Sequence, residues 1–199
     1  MKRPILLAAL LVSATLFTRS GASLVDSQSR LAKVSVLRLN REVKWDSRAT
    51  PRRLVLIALE DCLLSIDGKS NLLEAGDYKE VDRGSNLTID STGSRPTQLV
   101  LIEVLSASQP LTIGSTTLAS HEQLEDASDR NPTLLVAVSS LRLNDVRHLA
   151  KEDEPWKSDH LPTIKLQKGQ AVWLKRGIHR LHNDRETVAR FVTIEWLVS

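Results

Sequence analysis

Cysteine is nearly absent: the 199-residue chain has one, Cys62. A single thiol excludes any internal disulfide, and with it a disulfide-stapled mini-domain. Cys62 opens the strand-like run Cys62-Leu63-Leu64-Ser65-Ile66-Asp67 with no base beside it. That setting reads as a buried structural thiol and not a nucleophile. Aromatics make up only 4% of the chain, few rings on which to stack nucleic-acid bases. No Ser-His-Asp grouping, glycine-rich phosphate loop or paired-carboxylate motif stands out, so nothing points to a hydrolase or nucleotide enzyme. Beyond Phe17 there is no long apolar run. What is present is ordinary for a globular protein, 41% hydrophobic and 26% charged. Disorder and collagen-like repeats do not fit that composition.

Met1 to Ala22 reads as an export signal. Lys2 and Arg3 supply a charged start, Ile5 to Phe17 an apolar stretch, and Ser20-Gly21-Ala22 a small-residue cleavage site. The stretch is shorter than the roughly 20 residues that cross a bilayer. No cysteine lies near the cut, so a lipoprotein anchor is unsupported. The expectation is an exported protein, periplasmic or secreted, beginning at Ser23 and free of the membrane after cleavage. Cleavage also removes the basic excess. The net charge of +3 equals the three basic residues Lys2, Arg3 and Arg19, which depart with the signal and leave 24 basic against 24 acidic residues. Nucleic acid is therefore not an expected partner. The remaining charge is uneven, positive in Arg30 to Arg53 and around Lys168 to Arg190, while Leu54 to Leu105 is acidic in balance. Packing of the first basic segment on the acidic one accounts for part of this.

The chain repeats itself. Leu73-Glu74-Ala75-Gly76 followed by Arg83-Gly84 has the spacing of Leu166-Gln167-Lys168-Gly169 followed by Arg176-Gly177, at an offset of 93. Leu99-Val100-Leu101-Ile102-Glu103-Val104 matches Phe191-Val192-Thr193-Ile194-Glu195-Trp196 at an offset of 92. Agreement in residue type and spacing together points to duplication. Each copy has β character. Strands are expected at Leu54 to Leu59, Cys62 to Asp67, Asp77 to Val81, Asn86 to Asp90 and Gln98 to Leu105. In the second copy they are expected at Thr133 to Val138, Leu141 to Asn144, Leu161 to Gln167, Gln170 to Leu174 and Ala189 to Val198. The closing strands are apolar on both alternating faces, as in a sandwich or barrel covered on both sides. Short helices are expected only at His121 to Asp129 and Asp145 to Glu152. The organisation expected is a signal (1–22), an N-terminal repeat (23–105), a connector (106–131) and a C-terminal repeat (132–199).

Leu56-Ile57-Ala58-Leu59-Glu60-Asp61, Ser65-Ile66-Asp67-Gly68-Lys69 and Leu73-Glu74-Ala75-Gly76-Asp77 resemble the central stretch of a cupin domain. Arg176-Gly177-Ile178-His179-Arg180-Leu181-His182-Asn183 resembles the second cupin motif, with Lys175 where proline is usual and one residue fewer between glycine and histidine. The resemblance covers most of Leu54 to Val104 and of Thr133 to Trp196, with an insertion of about 13 residues in the second copy's hairpin. It implies an all-β chain with two tandem small double-stranded β-helix barrels or half-barrels, a bicupin.

The family's metal triad does not carry over. The positions of its first motif fall near Ser47, Ala49 and Leu54 in one copy, and near Asp126, Ser128 and Thr133 in the other. The first copy has Ser85-Asn86-Leu87-Thr88 where the second motif's histidine would stand. A cupin metal needs three or four converging N or O ligands, and only His179 matches. His179 and His182, three apart on a strand, face opposite sides. His121, His148 and His160 lie in connector or insertion sequence. The expectation is a protein with no cofactor and no standard metal site; any metal would centre on His179. A small-ligand site, for which an anionic ligand is one alternative, would lie near Trp173, His179, Arg180 and Asn183; a solvated, salt-bridged face is the simpler reading of the cationic stretch around them. Core packing is the simpler role for Trp173 and Trp196. The favoured function is a non-enzymatic exported barrel that binds a small ligand or a protein partner or serves a structural role, with a homodimer through exposed strand edges as one assembly. The competing reading is a metal-dependent dioxygenase or sugar isomerase using non-standard ligands around His179.

Overall fold

The computed structural model describes residues 30–39, 45–47, 50–91, 97–106, 109–126, 131–149, 157–175 and 177–197; the export segment, 1–22, lies outside the described residues. Among the described residues there is no helix, and therefore none long and apolar enough to cross a membrane. The chain is all-β, and every strand pairing is antiparallel.

The first repeat runs β1 (Ala32–Leu39), β2 (Trp45–Ser47), β3 (Leu54–Ala58), β4 (Cys62–Ile66), β5 (Lys69–Leu73), β6 (Tyr78–Val81), β7 (Leu87–Ser91) and β8 (Thr97–Val104). These form two sheets, in the orders β1-β8-β3-β6 and β2-β7-β4-β5. The second repeat runs β9 (Leu111–Leu118), β10 (Gln123–Asp126), β11 (Thr133–Ala137), β12 (Leu141–Leu149), β13 (Lys157–His160), β14 (Ile164–Leu166), β15 (Ala171–Leu174), β16 (Ile178–Asn183) and β17 (Ala189–Trp196). Its sheets, β9-β17-β11-β15 and β10-β16-β12-β13 with β14 also on β12, repeat the first pair strand for strand. Each repeat is thus a double-stranded β-helix of two facing sheets. The longer second hairpin is where the sequence places it. Cys62 pairs with Leu73 in the first repeat, whereas Leu141 pairs with Leu166 in the second, so the second hairpin takes in more than twice the length of chain.

Side-chain alternation divides the interior into three cores. Leu54, Leu56, Ala58, Cys62, Leu64, Leu87, Ile89 and Leu99 fill the first barrel. Leu135, Ala137, Leu141, Leu143, Leu181, Ala189 and Phe191 fill the second. The opposite faces of the same strands carry Val55, Ile57, Val100, Ile102 and Val104 from one repeat and Leu134, Val136, Val192, Ile194 and Trp196 from the other, which form one core between the barrels. That is why β3, β8, β11 and β17 are apolar on both faces: one face looks into the barrel and the other at the sister repeat. Complete burial of one such large aliphatic side chain contributes about 1.5–3 kcal/mol, so the junction between the repeats is itself a principal source of stability.

The duplicated glycines mark the junction. Gly76 and Gly169 both have positive φ, 101° and 82°, a conformation that side-chain-bearing residues rarely adopt. Gly76 N–H donates to Ala58 O, and Gly169 N–H donates to Ala137 O. Each turn then meets the other repeat: a Cβ on Gly76 would lie 3.8 Å from Val138 Cγ1, and one on Gly169 only 2.9 Å from Leu59 Cδ1. Leu59 and Val138 follow β3 and β11, so the two contacts are reciprocal. Lys168 Nζ adds an ion pair to Glu60 Oε1 at 3.3 Å across the junction.

Two expectations are corrected. Residues 106–131 are not a connector, because Leu111–Leu118 and Gln123–Asp126 are strands of the second repeat. Both lie at sheet edges, and β9 is largely half-buried or exposed, so its sequence lacks the apolar continuity that marks a central strand. The helices expected at His121 to Asp129 and Asp145 to Glu152 are also not found: Gln123–Asp126 is strand, and so is Leu141–Leu149, with residues 127–130 and 150–152 outside the described residues. The basic segment near β1 does pack on acidic sequence, with Lys33 on Glu103 at 3.4 Å and Arg53 on Glu80.

Candidate functional site

The four residues expected to form a ligand site do not converge. Trp173 on β15 faces the sister repeat, where its ring lies 4.9 Å from that of Trp196, centroid to centroid. It packs the junction and does not wall a barrel. Arg180 alternates with the buried residues of β16, and so points away from the barrel interior. His179 and Asn183 do point inward, 2% and 0% exposed, but they sit four positions apart on β16, roughly 13 Å along the strand.

Asn183 is fully engaged in structure. Its Nδ2 donates to Leu118 O, Ala119 O and Thr187 O, and its Oδ1 accepts from Arg185 N–H. It ties the end of β9 to the turn between β16 and β17.

His179 has a different partner, which sequence reasoning missed. Asp145 on β12, 4% exposed, places both carboxylate oxygens 2.9 Å from His179 Nδ1. On the other side of the ring, Nε2 meets the carbonyl of Lys175. A carbonyl can only accept, so Nε2 carries a proton and donates it. Two equidistant carboxylate oxygens fit an Nδ1–H that donates to both. With Asp145 ionised, this is an imidazolium bonded to a carboxylate, a buried pair of opposite charges. The signal for Asp145 was in the alternation: Leu141, Leu143 and Asp145 all face inward. Reading residues 145–152 as helix hid it.

This arrangement does not fit a metal. A histidine binds a metal through a ring-nitrogen lone pair, and both nitrogens of His179 are engaged by acceptors. Asp126 on β10 and Arg147 on β12 stand opposite His179 in the ladders. Among the described residues no group of three or more His, Cys, Asp or Glu side chains is placed to hold an ion. The backbones of His148 and His160 lie in β12 and β13. His121 packs on the outward ring of His182, 6.2 Å between centroids, and Glu186 lies 3.3 Å from its Nε2. An open cleft of about 320 Å³ lies at the first barrel instead, lined by Lys69 and Lys79 together with Asp67, Glu80 and Asp82. Asp67 is held by Asn86 N–H at 2.7 Å, and Glu80 by Arg53.

Comparison of the whole fold with solved structures is decisive about architecture. The chain superposes on a cupin 2 conserved barrel domain protein from Leptotrichia buccalis with a TM-score of 0.51 at 12% identity, covering 84% of each chain. The chain has the cupin fold. Two further matches are AerE from Microcystis aeruginosa, TM-score 0.62 at 10% identity over 84% of this chain and 88% of that one, and oxalate decarboxylase from Bacillus subtilis, TM-score 0.61 at 9% identity over 85% and 69%. Vicilin from hazelnut also matches, TM-score 0.62 at 10% identity over 87% and 77%. No protein-family model matches the sequence, and no curated protein matches it. The cupin fold therefore rests on shape. Its neighbours include proteins of quite different names, so the shape does not carry an activity to this chain.

Proposed function

We propose that this protein is an exported cupin that acts through its surface, as a partner-binding or structural protein, and performs no metal chemistry inside its barrels. The observation that carries the reading is the Asp145–His179 pair. The one histidine at a cupin-motif position spends both ring nitrogens on a carboxylate and a backbone carbonyl. Around it the interior is filled by Leu135, Leu141, Leu143, Leu181 and Phe191. A barrel packed in this way has little room for a small ligand, which favours the partner-binding arm over the small-ligand arm. Export rests on the charged start, apolar stretch and small-residue cut of residues 1–22.

Elemental analysis of the protein purified without added metal, for wild type and His179→Ala, tests the proposal. Substoichiometric metal in both is expected. One tightly held metal per chain that disappears in His179→Ala would overturn it and revive the metalloenzyme reading.

A further inference from the structure

The strand β5 is the outermost member of its sheet, with β4 on one side and no described strand on the other. The turn Asp67-Gly68, at φ 48° and 80°, closes a two-residue hairpin in which Ile66 and Lys69 are the flanking bonded pair. Asp67 N–H donates to Asn86 O on the β7 side, so along β4 the bonding direction alternates as this requires. Lys69, Asn71 and Leu73 therefore bond β4. The N–H and C=O groups of Ser70 and Leu72 face outward, away from the sheet.

Three further features distinguish this edge. Leu72 is 62% exposed, the largest value for a large hydrophobic among the described residues, and its ladder neighbour Leu63 is 38% exposed. Lys69 at one end and Glu74 just past the other have no ion-pair partner among the described residues. The matching edge of the second repeat is interrupted, because β13 and β14 meet β12 on either side of residues 161–163. Interrupted edges resist pairing, and β5 has no such break.

We propose that β5 is a homodimerisation edge, paired antiparallel with β5 of a second copy of this chain about a two-fold axis at Asn71. That register places Ser70 opposite Leu72 of the second copy and Leu72 opposite its Ser70, so every outward backbone group finds a partner. An axis at Leu72 would instead require Glu74, whose N–H already donates to Asp77 Oδ2 at 2.9 Å. The dimer joins two four-stranded sheets into one continuous sheet. On its outer face Leu63 and Leu72 of both copies form one apolar strip, the two Leu72 side chains being diagonal neighbours. Lys69 of each strand comes opposite Leu73 of the other, on the face away from that strip.

Asn71 at the axis supplies the sharpest test. A directly opposed, non-bonded pair in an antiparallel ladder has Cα atoms about 4.5 Å apart, within the disulfide range of about 4.4–6.8 Å. Asn71→Cys is expected to give a disulfide-linked dimer on mild oxidation, while Val188→Cys, exposed elsewhere, is not. Sedimentation velocity is expected to show a dimer for the unmodified protein. Leu72→Lys and Ser70→Pro, the latter removing only an outward N–H, are expected to weaken association by about tenfold or more. Val188→Lys is expected to leave it unchanged. A monomer at the highest soluble concentration, or a dimer that both edge variants leave intact and that Asn71→Cys does not link, would overturn the proposal.

Discussion

The two barrels share strand order, duplicated glycine turns and a largely apolar filling, yet they differ along one stretch of the ladder. In the first barrel Leu64 faces Ile89 and Ile66 faces Leu87, with Ser85 two positions before Leu87. In the second, Leu143 faces Asn183 and Asp145 faces Leu181, with His179 two positions before Leu181. Ile66 and Ser85 thus stand where Asp145 and His179 stand. Among its described residues the first barrel has no buried charge pair, so the architecture closes without one there. The pair is therefore a local solution in the second barrel, where the longer hairpin leaves from the same end. His179 bonds β12 through Asp145 and holds the backbone at Lys175 ahead of β16.

The largest effect is expected from splitting that pair. His179→Leu or Asp145→Leu alone leaves a buried charge without its partner and is expected to cost about 3–5 kcal/mol in guanidinium denaturation. The double replacement makes the second barrel resemble the first and is expected to recover most of the loss. Equal, additive losses would break the comparison.

The glycine turns provide a second contrast, of about 1–3 kcal/mol. Gly169→Ala combines positive φ with a 2.9 Å clash on Leu59, whereas Gly76→Ala combines positive φ with an ordinary 3.8 Å contact on Val138. Gly169→Ala is expected to lower the melting temperature more, by the added overpacking. Equal shifts would mean that Leu59 gives way freely and the reciprocal junction is looser than described.

Cys62 belongs to the apolar core of the first barrel, and burial, followed by the charges of Asp61 and Asp77, pushes its thiol up to about 11. The folded state then keeps its proton where the unfolded chain has lost it. Stability falls as pH rises from the ordinary thiol range towards the folded value. Relative to Cys62→Ala, the wild type is expected to lose stability across that window, and its thiol is expected to stay unreactive at mildly alkaline pH until the protein unfolds. Rapid labelling of the folded protein would contradict the buried placement. The smallest effect is expected from Lys168→Ala. Its partner Glu60 is 38% exposed, and such solvent-exposed pairs are worth about 0–1 kcal/mol.

Much of this architecture was legible in the residues. Leu54–Ala58 and Thr97–Val104 carry apolar side chains on both faces, and the glycines recur at one spacing, so a duplicated, doubly covered β fold follows. Strands β9 and β10 were not legible. Edge strands bury one face at most, and Thr, Ser and Gly in β9 look like linker. The site was harder. Periodicity says that a face is buried but not by what, so Trp173 could not be assigned to the junction in preference to a barrel. His179 was visible through its motif, while its partner is distant in sequence and comes close only through strand pairing.

The protonation of His179 tests the central claim most directly. Nitrogen-detected NMR of the histidine side chains at neutral pH, with His179 assigned by its absence in His179→Leu, reads both ring nitrogens. The account predicts that Nδ1 and Nε2 are both protonated and unmoved by added zinc or manganese. A neutral ring with one bare nitrogen that responds stoichiometrically to metal would contradict it.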